Sequence, residues 1–349
     1  MPTAAFTYLH DVRLSGMRDE TTALDDPAIP ALRDYWLRRL QIMRGELRHE
    51  SDPRRQHLDR VLTDSLGIGQ EQIARFFATM PSFEALQRFV LDCLGGAIAP
   101  ARVAWVNALQ EGTTYPPDVQ QRHAAVRALA PVLDAADLAH WDAHGYVIVK
   151  QAVTPSDCAA AFAAVHAHIG ADADDPATWH AAHRRQGIMV QLFQHPALEP
   201  ARTSLRIHKA CAQLWNDEDL VMSTDRVGFN PPEGARFSFP GPHLHWDAVL
   251  EPPLGLGVQG ILYLADTPAE QGAFTCIPGF QRDIDNWLRA LPPGVDPYSR
   301  IPAEAAKPIA GEAGDLILWH HALPHGSSPN RGVRPRVVQY LTMYPARWG

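Results

Sequence analysis

From Val221 onward the chain breaks into short β-favouring pieces, and this punctuation limits the possible fold more than any other feature. The pieces read LVMSTDRVGF, HLHWDAVL, GVQGILYLAD, AFTCIPG, DLILWHHAL and RVVQYLTMY, with Pro and Gly between them. Many short strands joined by turns close into a sandwich or a barrel. Upstream the pattern changes. Residues 1 to about 125 read as helical: ALRDYWLRRLQIMRGEL sets Leu32, Trp36, Leu40, Met43 and Leu47 at three- and four-residue steps, and PSFEALQRFVLDCL continues in that style. The turn-rich GTTYPPD, Gly112–Asp118, is the best boundary between the two regimes. After it, GYVIVKQAV (Gly145–Val153) reads as a strand. A helix should then start at Thr154 as cap, with Pro155 and Asp157 in its first turn, and stop at Gly170.

The bulk properties exclude several classes. A chain of 349 residues is longer than one core usually serves. The net charge of −8 comes with no basic run or stripe, so no nucleic-acid partner is expected. The opening MPTAAFTYLHDVRL lacks a basic start followed by an apolar stretch, and no apolar run is long enough to span a membrane. Cys93, Cys158, Cys211 and Cys276 are far apart and form no CxxC pair. They read as buried free thiols of a cytoplasmic protein.

One tetrapeptide occurs twice. HWDA stands at His140–Ala143 and again at His245–Ala248, and His-x-Asp can hold a metal. Chance alone gives about two His-x-acid triplets in a chain with 17 His and 39 acidic residues. Geometry must therefore separate the copies. The first lies in LDAADLAHWDAHG, a predicted helix capped by Asp134 and stopped by Gly145. Two residues turn a helix by about 200°, so His140 and Asp142 diverge. His57 and Asp59, in another helical stretch, diverge for the same reason. The second copy lies in a predicted strand, where His245 and Asp247 share a face and Trp246 points away. His243 shares that face and competes as a ligand. A two-His, one-carboxylate triad needs one more His, and His320, His321 and His325 are the candidates.

At these residues the sequence resembles the phytanoyl-CoA dioxygenase family of Fe(II)/2-oxoglutarate oxygenases. The matching pieces are GYVIVK, LHWD, GILYLADTPAEQGAFTCIPG, GDLILW and HGSSPN…PR, spread over roughly Asp134–Tyr344. The resemblance implies an α+β fold: a double-stranded β-helix, or jelly roll, with flanking helices. It implies an oxygenase domain over residues 126–349; the helical region, residues 1–125, lies outside the resemblance, and its candidate roles are a lid, a substrate-selecting unit or an oligomerisation surface. Fe(II), 2-oxoglutarate and O2 would be its cofactors, with a small-molecule substrate. Carried over by position, the metal ligands are His245, Asp247 and His325, which ranks His320 and His321 lower. Arg336 would grip the far carboxylate of 2-oxoglutarate, ahead of Arg334 and Arg331, and Ser327 would place a hydroxyl against it. Related halogenases replace the carboxylate ligand with a small residue, so Asp247 favours hydroxylation, with desaturation and ring formation as the alternatives.

Two departures from the family pattern stand out. PGFQ at Pro278–Gln281 replaces Pro-Gly-Ser-His, and Asn230 stands where many members carry Lys. Outside the resemblance, Gln259 is a polar residue in an apolar strand and a candidate for contact with co-substrate. Gln191, Arg226 and Trp246 are candidates for substrate contact, and His195 reads as a turn cap before Pro196. The lack of a Lys/Arg run for a coenzyme A phosphate favours an amino-acid-like or secondary metabolite over an acyl-CoA. The competing readings are a cupin-like metal-dependent enzyme and a non-catalytic metal or 2-oxoglutarate sensor.

Overall fold

The computed structural model describes residues 29–47, 52–180, 184–235 and 237–348. The helical expectation for the first 28 residues lies outside them. Six helices come first: α1 (Pro30–Met43), α2 (Pro53–Ser65), α3 (Gln70–Phe77), α4 (Phe83–Cys93), α5 (Pro100–Glu111) and α6 (Pro117–Ala128). Pro at the first turn starts α1, α2, α5 and α6, where its missing N–H costs nothing. Gly112, in the left-handed region at φ 69°, ends α5 inside the expected boundary segment. Helix α1 stops at Met43, so Leu47 falls beyond it, and Met43 and Leu47 are exposed rather than packed. Leu32, Tyr35, Leu62, Phe77, Phe83 and Leu86 build a core within this helical part.

Helix α7 (Ala135–His144) carries the first HWDA copy, with Asp134 accepting from two backbone N–H groups and Gly145 closing the helix at φ 74°. Then follow β1 (Tyr146–Val149), α8 (Pro155–Ile169), β2 (Arg185–Gln186), β3 (Met189–Val190), α9 (Glu199–Thr203), α10 (Leu205–Trp215), β4 (Leu220–Met222) and β5 (Val227–Asn230). Thr154 caps α8 and Gly170 ends it, as its sequence requires. The remaining elements are β6 (Val258–Tyr263), β7 (Phe274–Cys276), α11 (Ile284–Ala290), β8 (Lys307–Ile309), β9 (Leu316–His320), β10 (His325–Ser327), β11 (Arg336–Tyr340) and β12 (Met343–Pro345).

The strands form an antiparallel seven-stranded sheet, β1-β9-β6-β11-β5-β3-β2, and an antiparallel three-stranded sheet, β10-β7-β8. The period of two sorts the large sheet's residues onto two faces. Leu316, Leu318, Leu262 and Val337 pack outward with Cys158 and Val165 of α8 and Ile207 of α10. Ile317, Trp319, Ile261, Tyr263 and Val338 pack inward against Phe274, Cys276 and Ile309 of the small sheet. A sheet covered by helices on one face and by a second sheet on the other is the expected jelly-roll arrangement of an α+β fold.

Two expected single strands are each divided. LVMSTDRVGF gives β4 and β5, and RVVQYLTMY gives β11 and β12. In each pair one member, β4 or β12, stands outside the large sheet that holds β5 and β11, because β4 and β12 pair with each other alone. Val221 and Tyr344 of that small ribbon pack with Val61 of α2 and Leu109 of α5, which joins the helical part to the sheets. Residue 125 lies within α6. Three of the four cysteines are buried and free; Cys93 is free but only partly buried, with Gln72 Nε2 3.4 Å from its sulfur. No helix among the described residues is long and apolar enough to cross a membrane.

Candidate metal centre

The second HWDA copy is not a strand. His245 makes one antiparallel bridge, to His325, through reciprocal N–H···O bonds of 2.9 Å. On one side the Pro242 carbonyl accepts the Ser327 N–H at 3.0 Å, and on the other the segment turns away after His245. The extended backbone at His245 still suffices for convergence. Ligand atoms of His245, Asp247 and His325 all lie within 4.8 Å of one another. His245 Nε2 is 3.4 Å from Asp247 Oδ1, and His325 Nε2 is 3.3 Å from Asp247 Oδ2.

Backbone carbonyls orient both imidazoles. His245 Nδ1 lies 2.7 Å from the His243 carbonyl, and His325 Nδ1 lies 3.0 Å from the Leu323 carbonyl. A carbonyl only accepts, so each Nδ1 carries a hydrogen, and each Nε2 can give a lone pair to a metal or, when protonated, a hydrogen bond to Asp247. The hydrogen bonds from His245 and then His325 hold the Asp247 carboxyl far below the usual range, against the opposing effect of burial. Burial lowers His245, but its bonds to Asp247 and to the His243 carbonyl outweigh that and raise it above its ordinary value. Two neutral imidazole nitrogens and a carboxylate oxygen are a donor set suited to Fe(II).

Gln259 lies on the inward face of β6 and donates to Asp247 Oδ2 at 2.9 Å. Its carbonyl accepts from the Trp319 indole at 3.1 Å, across the β6–β9 register that sets Gln259 opposite Trp319. Arg336 begins β11 and is fully buried. Its Nη1 donates to Ser327 Oγ at 2.9 Å, while Nε and Nη2 have no partner. No carboxylate among the described residues pairs with it. A buried guanidinium with two unused donors is costly unless an anion meets it, and a carboxylate matches its edge. His325 and Ser327 are two residues apart on β10, so the metal-ligand imidazole and the hydroxyl that Arg336 holds arise about 7 Å apart along the strand. A five-carbon diacid spans that distance, and the residues present fit both iron and 2-oxoglutarate.

The other candidates separate clearly. His243 is exposed and packs its ring against Phe239. His320 Nδ1 accepts from the Ala322 N–H, and burial lowers it to about 4. His321 Nε2 contacts the Gly255 carbonyl at 2.7 Å. Arg334 reaches the surface carboxylate of Asp174. Asn230 pairs in register with Arg336 and donates to the Ser328 carbonyl. Trp246 is buried away from the cluster, bonded to the Ala322 carbonyl and packed among Phe280, Trp287 and Tyr298. Gln191 is partly buried, with both amide atoms unpartnered. His195 caps its turn by accepting from the Ala197 N–H. Arg226 lines a cleft of about 760 Å³ that also contains Asp247, Gln259 and His321. Of the α2 residues on that cleft, His57 was read only as half of a diverging pair and Arg60 went unmarked, because nothing local ties α2 to a segment 280 residues away.

The profile of the phytanoyl-CoA dioxygenase (PhyH) family matches residues 141–338, more than half of the chain. The chain belongs to this family of Fe(II)/2-oxoglutarate oxygenases. A Dictyostelium discoideum protein assigned provisionally as a phytanoyl-CoA dioxygenase is 20% identical over 257 residues, covering 59% of this chain and 74% of that one. Among solved structures, the non-haem α-ketoglutarate-dependent epimerase SnoN from nogalamycin biosynthesis is 17% identical with a TM-score of 0.43, covering 63% of this chain and 83% of its own. EctD from S. alaskensis with bound Fe is 20% identical with a TM-score of 0.43, covering 61% of this chain and 77% of its own. The matched span of this PhyH-family chain holds the donor cluster, Gln259, Ser327 and Arg336, and excludes helices α1–α6.

Proposed function

We propose that this chain is an Fe(II)/2-oxoglutarate-dependent hydroxylase that acts on an unactivated C–H bond of a small molecule. The observation that carries the reading is a two-His, one-carboxylate cluster facing the same inter-sheet space as a fully buried, half-unpartnered Arg336. Bound by His245, Asp247 and His325, iron with 2-oxoglutarate and O2 supplies the oxidising power for C–H hydroxylation, with succinate and carbon dioxide released.

The chain's own residues do the rest. The carbonyls of His243 and Leu323 keep both imidazoles in the binding tautomer. Gln259, itself held by Trp319, fixes the rotation of Asp247. Arg336 and Ser327 receive the far carboxylate of the co-substrate and so set which end faces the cluster. Phe274 and Trp319 flank the His325 ring, at centroid distances of 6.2 and 5.1 Å, and keep water from that side. The cleft beside Asp247 receives a substrate of metabolite size. The absence of a Lys/Arg run still favours an amino-acid-like or secondary metabolite over an acyl-CoA.

The test is an anaerobic absorption titration of the full chain with Fe(II), then 2-oxoglutarate. A visible charge-transfer band that needs both additions is expected. It should vanish in His325→Ala, and in Arg336→Met it should require at least about tenfold more 2-oxoglutarate. A folded, iron-loaded protein without the band would refute the reading.

A further inference from the structure

The cleft that starts at Asp247 and Gln259 continues to α2, where His57, Arg60 and Asp64 form its far wall. Three arginines line it, Arg60, Arg226 and Arg347, and they are not alike. Arg347 is committed: its Nε donates to Tyr115 and Asp219, and its Nη2 to the Thr113 carbonyl. Arg226 meets Asp225 only through Nε, at 3.4 Å, and that carboxylate oxygen already takes the Arg226 backbone N–H at 2.6 Å. Arg60 approaches Asp64 through Nε at 3.6 Å, while Asp64 already accepts from the Thr224 N–H at 3.0 Å and the Tyr344 hydroxyl at 2.6 Å.

Neither Arg60 nor Arg226 therefore has the two parallel bonds of a fork-to-fork carboxylate pair. The Arg60 guanidinium also lies 4.0 Å over the Tyr344 ring. Stacking and the Nε contact hold it in one place, which reduces the entropy lost when it grips a ligand. Its side chain remains about half exposed, toward the cleft. A structural strut would be buried and bonded through both arms of its fork, as the Arg202 side chain is, through Nη1 to Glu199 and through Nη2 to the Asp225 carbonyl. The lining of the cleft is mixed: Trp215, Leu256 and Val258 supply apolar surface beside polar side chains such as Gln70, Thr224 and Thr342.

We propose that Arg60 and Arg226 bind an oxyanion group of the substrate, a carboxylate or a phosphate ester, while its carbon body lies in the cleft that leads to Asp247. This rests on the oxygenase reading for the reaction, and it makes α2 part of the substrate site. The shared chemistry is a pair of anionic oxygens that accepts two N–H bonds in one plane. A neutral analogue of the same shape leaves those donors unpaired and binds more weakly.

The test uses the full chain saturated with Mn(II) and 2-oxoglutarate under argon, so that Arg336 is already engaged. Phenylacetate and phenyl phosphate are titrated by calorimetry beside neutral phenylacetamide. At least one anion should bind ten times more tightly than the amide, and which one does so tells a carboxylate site from a phosphate site. Arg60→Met and Arg226→Met should each bring that preference to threefold or less, while Arg289→Met, on the exposed end of α11, leaves it unchanged. The preference is a ratio within one sample, so a variant that is merely less stable keeps it. No anion preference in the wild type, no binding of either anion, or a preference that survives in either cleft variant overturns the proposal. The iron and 2-oxoglutarate band is read on the same preparations. A band without anion preference overturns this inference alone. Anion preference without a band overturns the oxygenase reading and keeps the cleft assignment.

Discussion

Three side chains reach Asp247: His245, His325 and Gln259. The two imidazoles offer lone pairs to a metal, so once an ion is bound only the Gln259 amide remains as a donor to the carboxylate. Replacing Gln259 by Leu has two consequences. The carboxylate loses its brace, and the Trp319 indole N–H is left unpaired in a buried position. Metal affinity should fall about 10- to 100-fold, and stability by about 1–3 kcal/mol. Trp319→Phe keeps the bond to Asp247 while releasing the other end of the amide, so its effect on affinity should be smaller. Mn(II) titration and thermal melts of the two variants measure both quantities; equal affinity in wild type and Gln259→Leu would show that Asp247 needs no brace. Gln259 was visible in the sequence as a polar residue in an apolar strand. Trp319 was not, because its partner lies 60 residues away and only strand register brings them together.

The element that makes the cluster possible is a crossing of backbones, not a helix or a strand. The segment Pro242–His245 runs directly over β10, and Gly326 sits under it. A Cβ at Gly326 would stand 2.5 Å from the His243 carbonyl oxygen and 2.9 Å from that of Pro242. Backbone cannot swing aside as a long side chain can, so Gly326→Ala must push the segment that carries His245 away from His325. Metal affinity should fall at least about tenfold, as expected when the groups that orient metal ligands are disturbed. The helical circular dichroism should be unchanged, since neither backbone of this crossing is helical. Unchanged affinity in Gly326→Ala would mean that the two backbones can separate without cost. The helical geometry of the first HWDA copy was legible because caps and a stop glycine are local signals. The second copy was read correctly for convergence but not for structure. Its pairing is limited to one bridge because the chain turns away after His245, and that turn has no periodic signature.

At the scale of the molecule, the family span was legible because its motifs are short, ordered and chemically distinctive, whereas the helical part gave no sign of where it docks. Its attachment depends on long-range contacts. Asp64 of α2 accepts from the backbone of Thr224 and from Tyr344 of β12, across 160 and 280 residues of sequence. Burial, only partly offset by Arg60 and by these hydrogen bonds, pushes the Asp64 carboxyl up to about 6, with Asp225 adding to the rise. An unfolded Asp titrates near about 3.9. Between these values the folded protein holds a proton that the unfolded chain has released, so stability falls as pH rises through that window. The proton's contribution is complete below about pH 4 and lost above about pH 6, and a shift of about two units is on the order of 3 kcal/mol. Asp64→Asn cannot titrate. The stability of wild type minus that of Asp64→Asn should therefore grow by roughly this amount as pH falls from 7 to 4, while Asp247 and the histidines, common to both proteins, largely cancel. Urea unfolding at several pH values measures the difference. A difference that stays flat from pH 4 to 7 would mean that the carboxylate is ionised where it sits. The junction between α2 and the β4–β12 ribbon would then be held by a charged Asp64–Arg60 pair rather than by a neutral hydrogen-bonded acid.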